Sequence, residues 1–199
     1  MNAIHGLVRW VSWQSREREP HRVALGHVLQ PPPGPYGSGA HPYLTLGTAT
    51  VDGVVLRVPA RTALRSDERG TLVGTVPVEG TELDFRSARV IADTKLDHGY
   101  TDLGRDDVGL ARVELSSGEG GTGLTLWVDE GYPYLMVFTG DRPDVSRRGL
   151  AGEPMTCAPN AFRSGDGLIR LEPGASVTTA WGIAPRSQLQ DGGPAREGA

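Results

Sequence analysis

Cysteine and lysine are nearly absent from this 199-residue chain, which contains one of each, Cys157 and Lys95. A single cysteine excludes an internal disulfide and a metal cage built from several cysteines, and the sequence therefore predicts a cytoplasmic protein. With one lysine and a net charge of -4, the chain offers no clustered basic surface for nucleic acid or for an anionic membrane. We expect neither as a partner.

Long apolar runs and helical periodicity are absent as well. No window of the sequence reaches the length that a bilayer crossing needs, and the first residues, MNAIHGLVRWVSWQ, do not follow the pattern of a signal peptide. The chain has 28 glycines and 15 prolines, residues that interrupt helices and favour turns. We expect short elements joined by turns, with almost no helix.

Apolar and polar residues alternate with a period of two in many short segments, which is typical of half-buried strands. Many such strands with turn signals between them predict an all-β fold, an antiparallel β-sandwich in which one face of each sheet packs against the other sheet. The predicted strands are residues 8–11, 22–29, 43–46, 54–58, 110–115, 124–129, 134–139 and 176–183.

The length of the chain suits a single domain, which we place at residues 1–184. Residues 185–199 contain one large apolar side chain, Leu189. That is too little apolar surface to offset the entropy of ordering the segment, so we predict a disordered C-terminal tail.

A lone carboxylate, Glu153, stands in a stretch, residues 149–168, that is rich in proline and glycine. We expect no regular element in this stretch and place Glu153 at a strand end, where the chain turns into a fixed loop and the side chain can face a cleft. Taken alone, Glu153 is better explained as a solvated carboxylate at a strand edge, because charged groups are mostly exposed.

Two histidines, His5 and His41, each lie beside glycine or proline where a turn meets a strand. Taken alone, each is better explained as a partly buried side chain hydrogen-bonded to a backbone carbonyl. Together with Glu153 they could form a metal ligand set, but the sequence has no supporting His-x-His or His-x-x-x-His spacing. We therefore expect no metal.

The segments that contain these three residues resemble the aldose 1-epimerase (galactose mutarotase) family, and they follow the family's order. NAIHGLVRW is similar to the segment with the family's first active-site histidine, GAHPYLTLG to that with the second, and GLAGEPMTCAPNAF to that with the glutamate. TKLDHGYTDL looks like the segment that supplies a sugar-binding aspartate, here Asp97. The resemblance covers nearly all of residues 1–184.

The resemblance implies a galactose mutarotase-like supersandwich that interconverts the α and β anomers of aldohexoses such as galactose and glucose. It assigns Glu153 as the base that takes the O1 proton and His41 as the acid that protonates the ring oxygen. His5 and Asp97 would bind the sugar, and no cofactor is implied. We expect His5, His41 and Glu153 to face one cleft.

The substrate within the family stays open. Arg9, four residues after His5, resembles the arrangement of hexose-6-phosphate mutarotases, in which an arginine helps to hold the phosphate. A surface arginine explains the same residue equally well. A catalytically weak carbohydrate-binding fragment of the same fold is a further alternative.

The family pattern includes strands before the first histidine motif and further strands near residues 34–37, and neither set is recognisable in this sequence. We therefore expect an incomplete sandwich. Unpaired strand edges would then favour self-association and lower stability.

Overall fold

The structure is a computed structural model, and it describes only part of the chain. His5 and Arg9 lie outside the described residues, and so does the segment 187–199 of the predicted tail. The described residues are 12, 14–19, 22–26, 34–67, 71–118, 121–141 and 146–186.

Within these ranges the chain forms strands and a single helical turn. The strands are β1 (Gln14–Glu19), β2 (Arg22–Gly26), β3 (Gly34–Tyr36), β4 (Tyr43–Leu44), β5 (Val55–Arg57), β6 (Ala60–Ser66), β7 (Leu72–Pro77), β8 (Arg89–Val90), β9 (Asp97–Leu103), β10 (Ala111–Ser116), β11 (Gly123–Val128), β12 (Tyr134–Phe138), β13 (Leu150–Met155), β14 (Ile169–Leu171) and β15 (Trp181–Arg186); the helix is α1 (Ala161–Ser164).

Two antiparallel sheets form the body of the domain. One has six strands in the order β4-β13-β12-β9-β6-β7, and the other has five in the order β15-β11-β10-β5-β8. Two smaller sheets pair β1 with β2 and β14 with β3. The predicted all-β, antiparallel fold is confirmed.

The core lies between the two larger sheets. Leu56 and Leu126 of the five-stranded sheet and Leu135 and Leu150 of the six-stranded sheet are fully buried members of one apolar cluster. Because side chains alternate along a strand, the intervening residues of the six-stranded sheet point away from this core. We call this outward side of the six-stranded sheet the open face; β12 contributes Tyr134, Met136 and Phe138 to it.

The irregular conformation that we predicted around Glu153 is wrong. Residues 150–155 form strand β13, and Glu153 is its fourth residue, not its end. The proline that argued against a strand is tolerated because of its orientation. The backbone polar groups of Pro154 point to the segment at the sheet margin, where the Pro154 carbonyl accepts a hydrogen bond from the Ala40 N–H (3.1 Å). The N–H that proline lacks would point to the same side, so the hydrogen bonding with β12 on the other side is not affected.

The last strand also differs from the prediction. It begins at Trp181, so residues 176–180 lie outside any strand, and it continues through Pro185 and Arg186, two residues past the predicted domain boundary. Strand β11 explains this extent, because all six residues of β15 pair with it. The extent of the domain and the disordered tail remain predictions.

The helical turn α1 is bounded by two residues in the left-handed conformation, Asn160 (φ 63°) and Gly165 (φ 84°), and so cannot extend in either direction. Among the residues that the structure describes, no helix is both long enough and apolar enough to cross a bilayer.

Gly152→Ala should destabilise the domain, because a Cβ at this position would lie 2.9 Å from Cδ2 of Leu126 in the facing sheet. Overpacking of this kind typically costs about 1–3 kcal/mol. The matched control is Gly53→Ala, where no atom lies within 4 Å of an added Cβ. Urea denaturation of both variants measures the effect, and a Gly152→Ala protein as stable as the Gly53→Ala protein would contradict it.

Candidate active site

Strand β13 presents Glu153 on the open face of the six-stranded sheet. Its neighbour Gly152 points toward the core, in contact range of Leu126, so Glu153 points the opposite way. Glu153 pairs with Met136 of β12, and its side chain is 16% exposed. The carboxylate is thus held on a central strand and largely removed from water.

His41 lies directly across from Glu153, although the regular part of β4 begins two residues later. The antiparallel ladder between β4 and β13 continues backward along the chain: Gly152 N–H donates to the Pro42 carbonyl (3.2 Å), and Gly39 forms a bridge with Met155. Pro42 has no N–H to donate, which interrupts the regular strand without changing its register. This register brings His41 Nε2 to 3.0 Å from Glu153 Oε1.

The environment of Glu153 favours its protonated form. Burial raises the pKa of the Glu153 carboxyl from its ordinary value of 4.5 to about 7, and the negative charge of Asp97 adds to the increase. Burial acts in this direction because the charged form loses its hydration. Glu153 can therefore both accept and release a proton near neutral pH.

Asp97 shares the open face with Glu153. It is the first residue of β9 and pairs with Phe138 of β12, which in turn pairs with Ala151 of β13. Asp97 therefore lies two strands away from β13. Along β9 it is two residues from Gly99, the residue level with Glu153. Its side chain belongs to an exposed residue, available to accept hydrogen bonds from hydroxyl groups.

Between these polar groups the open face is apolar and aromatic. Met136 lies between Glu153 of β13 and Gly99 of β9 in the strand register. A Cβ at Gly99 would come within 2.6 Å of Leu64 Cδ1, so the leucine of β6 lies over this glycine. An apolar floor with a few converging polar groups is the usual composition of a small-molecule site.

Tyr43 belongs to the same region and was not identified from the sequence as a site residue. Its ring stacks against the imidazole of His41, with 5.1 Å between centroids and 28° between planes. Tyr43 is 56% exposed, which is high for a large aromatic side chain. The signal was present in the sequence, because Tyr43 lies two residues after His41 and so on the same side of an extended strand.

The open-face residues of β12, Tyr134, Met136 and Phe138, were also missed. The segment YLMVF is apolar at every position, which indicates a strand covered on both faces rather than one. That pattern could have indicated a ligand site on the second face. The assignments of His5 and Arg9 lie outside the described residues and stay predictions.

Elsewhere in the described chain, some charged side chains are held together in ion-paired clusters. Arg147 donates to Asp141 (2.9 Å) and to the Thr94 carbonyl (3.1 Å) and also pairs with Asp52, which ties three loops together. A surface cavity of about 550 Å³ is lined by residues 80–89 and does not include Glu153. There Arg86 donates two hydrogen bonds, of 2.9 and 2.7 Å, to the Asp84 carboxylate. We consider the His41 and Glu153 pair the better candidate, because its groups face a surface that can take a ligand.

Glu153→Gln should stabilise the fold at pH 8 and have little effect at pH 4. The folded state holds the Glu153 proton up to a pH of about 7, whereas an unfolded chain releases it near 4.5. The stability from this group therefore falls as the pH rises between those values, by about 1–3 kcal/mol in total. Urea denaturation at both pH values measures it, with Glu172→Gln at an exposed position as the control. Equal effects of Glu153→Gln at pH 4 and pH 8 would contradict the raised pKa.

Comparison with known proteins identifies the family and the fold of this chain. Residues 32–183 match the family model described as aldose 1-epimerase. An Escherichia coli K12 protein, named Uncharacterized protein YihR, is 30% identical over 205 residues; the match covers 86% of this chain and 64% of that protein. The chain thus spans somewhat less than two thirds of the length of this curated relative.

Two solved structures show the likeness of fold. The GalM/aldose epimerase homologue from C. elegans superimposes with a TM-score of 0.70 at 15% identity, covering 89% of this chain and 70% of that one. Galactose 1-epimerase from Lactobacillus acidophilus NCFM gives a TM-score of 0.56 at 22% identity, covering 77% of this chain and 50% of that one. The galactose mutarotase-like β-sandwich is therefore confirmed, and the family match over residues 32–183 shows that the chain belongs to the aldose 1-epimerase family.

Proposed function

We propose that this chain interconverts the α and β anomers of a neutral aldohexose such as galactose or glucose, with Glu153 as general base and His41 as general acid. One observation supports this above all: His41 Nε2 lies 3.0 Å from Glu153 Oε1 on the open face of the sheet. Membership of the aldose 1-epimerase family supports the reaction class.

The short distance between His41 and Glu153 suits the two sugar oxygens of the reaction, of which one loses a proton and the other gains one. The O1 hydroxyl and the ring oxygen O5 of a hexopyranose are bonded to the same carbon, C1, and so are immediate neighbours. An acid and a base that serve them must also be neighbours, each within hydrogen-bond reach of its own oxygen. When the sugar binds, the bond between His41 and Glu153 would be replaced by one bond from each residue to the substrate.

Ring opening then needs only two proton transfers. Glu153 takes the O1 proton as the C1–O5 bond breaks, the electron pair of that bond goes to O5, and O5 takes a proton from His41 Nε2. C1 becomes the carbonyl carbon of the open-chain aldehyde. Rotation about C1–C2 presents the other face of the carbonyl, and the ring closes with His41 as base and Glu153 as acid.

The raised pKa of Glu153 suits this cycle. A carboxyl whose pKa is about 7 gives up its proton nearly as readily as it takes one at neutral pH. General acid and base catalysis is most efficient when the catalytic pKa lies near the working pH. Asp97, on the same face, would accept hydrogen bonds from sugar hydroxyls, and His5 is proposed for the same role from its sequence motif.

The charges of the described open face favour a neutral sugar over a sugar phosphate. Glu153 and Asp97 place two carboxylates there, and none of the described open-face positions of β13, β12, β9 and β6 is lysine or arginine. A dianionic phosphate near these carboxylates would be repelled. Arg9, from which we considered a phosphate site, lies outside the described residues.

Loss of either proton-transfer group should abolish most of the activity. We expect Glu153→Gln and His41→Asn each to lower kcat/KM by about a hundredfold or more, and the double variant to be little worse than either single one, because both groups serve one transition state. Polarimetry on freshly dissolved α-glucose and α-galactose measures the rates above the spontaneous reaction of the buffer. Since Glu153 must be deprotonated in the active free enzyme, kcat/KM should rise with pH through about 7. An active Glu153→Gln protein would defeat the assignment.

The substrate class has its own test. We expect kcat/KM for α-glucose to exceed that for α-glucose 6-phosphate by about tenfold or more. A repulsion between the phosphate and the carboxylates of about 1.4 kcal/mol in the transition state lowers kcat/KM tenfold. Coupled or polarimetric assays at constant ionic strength measure both. A preference for the phosphate that disappears in Arg9→Gln would instead favour the hexose-6-phosphate alternative, and sugar binding without turnover would favour the carbohydrate-binding one.

A further inference from the structure

We propose that Tyr43 is a positioning residue, whose ring holds the imidazole of His41 in the orientation that proton transfer requires and does not itself bind the sugar. This inference rests on the proposed function of His41. It concerns a side chain to which the sequence motifs gave no role.

The ring contact is direct. Tyr43 and His41 are two residues apart in an extended segment, so their side chains project from the same side of the chain. Their centroids are 5.1 Å apart, and their planes are inclined by 28°. This is the offset stacking that aromatic pairs prefer over a perfect face-to-face sandwich.

Small residues on strand β13 and just before it leave room for the Tyr43 ring. Ala151, directly opposite Tyr43, carries only a methyl group. Gly149 has no side chain, and a Cβ there would lie 3.7 Å from Cδ1 of Tyr43. The ring therefore rests beside β13 without a large cross-strand neighbour to push it away from His41.

The stack and the hydrogen bond restrain different motions of the imidazole. The 3.0 Å contact with Glu153 fixes the direction of Nε2, because a hydrogen bond lies near the plane of the ring that donates or accepts it. Stacking on Tyr43 restrains the tilt of that plane. The restraint matters because His41 lies on the marginal segment of the sheet, where its side chain is 36% exposed.

This role predicts a loss in turnover rather than in substrate binding. An aromatic pair typically contributes enough to change a rate by about three- to tenfold. We therefore expect Tyr43→Leu to lower kcat for α-glucose by about three- to tenfold, with KM changed by less than about twofold. Tyr43→Phe keeps the ring and should retain the wild-type kcat. Val108→Ala, at a 73% exposed position in a turn, is the control for loss of exposed apolar surface.

The second readout does not depend on activity. In ¹H–¹³C NMR spectra of the sugar-free protein, the ring-proton signals of His41, assigned with His41→Asn, should move downfield in Tyr43→Leu, because the shielding of the stacked ring is lost. They should stay in place in Tyr43→Phe. Circular dichroism and a thermal melt of each variant establish that it is folded.

The outcomes separate the inference from the proposed function. A wild-type chain without mutarotase activity defeats the proposed function, and with it any catalytic role of Tyr43, whatever the NMR spectra show. Activity that depends on His41 but survives Tyr43→Leu unchanged overturns the inference alone. A raised KM with unchanged kcat in Tyr43→Leu would also overturn it, by showing that the ring contacts the sugar, and so would a Tyr43→Phe protein as slow as Tyr43→Leu.

Discussion

The antiparallel ladder between β13 and the segment from Gly39 to Leu44 is the interaction on which the candidate site depends. It brings together two residues far apart in sequence, and its register decides which of them meet. A slip of one residue would turn His41 toward the core side of the sheet and separate it from Glu153. The backbone hydrogen bonds at Pro42 and Ala40 hold that register beyond the regular part of β4.

The same strand that forms part of the core also removes Glu153 from water. Leu150 and Gly152 pack toward the other sheet, and this packing fixes β13 as a central element of the domain. The carboxylate on the opposite side of the strand is left with little exposure, and its charged form is disfavoured. Above about pH 7 the free energy of unfolding is thus lower than it would be with glutamine at position 153. In return, the Glu153 carboxyl can exchange a proton near neutral pH.

Strands β2, β4, β5, β10, β11 and β12 overlap segments that were predicted from sequence, and the fold class was predicted as well. The predicted strand at residues 8–11 and residues 27–29 of the predicted strand 22–29 lie outside the described residues. Strands β6 and β9 were missed because charged residues such as Arg61, Arg65 and Asp102 interrupt the alternation of apolar and polar residues. Glu153, His41 and Asp97 were proposed as site residues from their motifs, and His41 and Glu153 were expected to face one cleft, but the strand register that joins them could not be predicted. The register depends on pairing between segments that are distant in sequence, and composition and local pattern carry no information about that pairing. Pro154 misled the prediction because its orientation toward the sheet margin is a property of the folded sheet.

The proline between His41 and Tyr43 has a consequence that begins before folding. Proline disfavours the helical conformation of the residue that precedes it and leaves extended conformations. In the unfolded ensemble, His41 therefore samples fewer backbone states than it would before another residue, and less conformational entropy is lost when the segment joins β13. The lower conformational entropy that Pro42 gives the unfolded chain thus offsets, at least in part, the hydrogen bond that Pro42 cannot donate in the folded sheet.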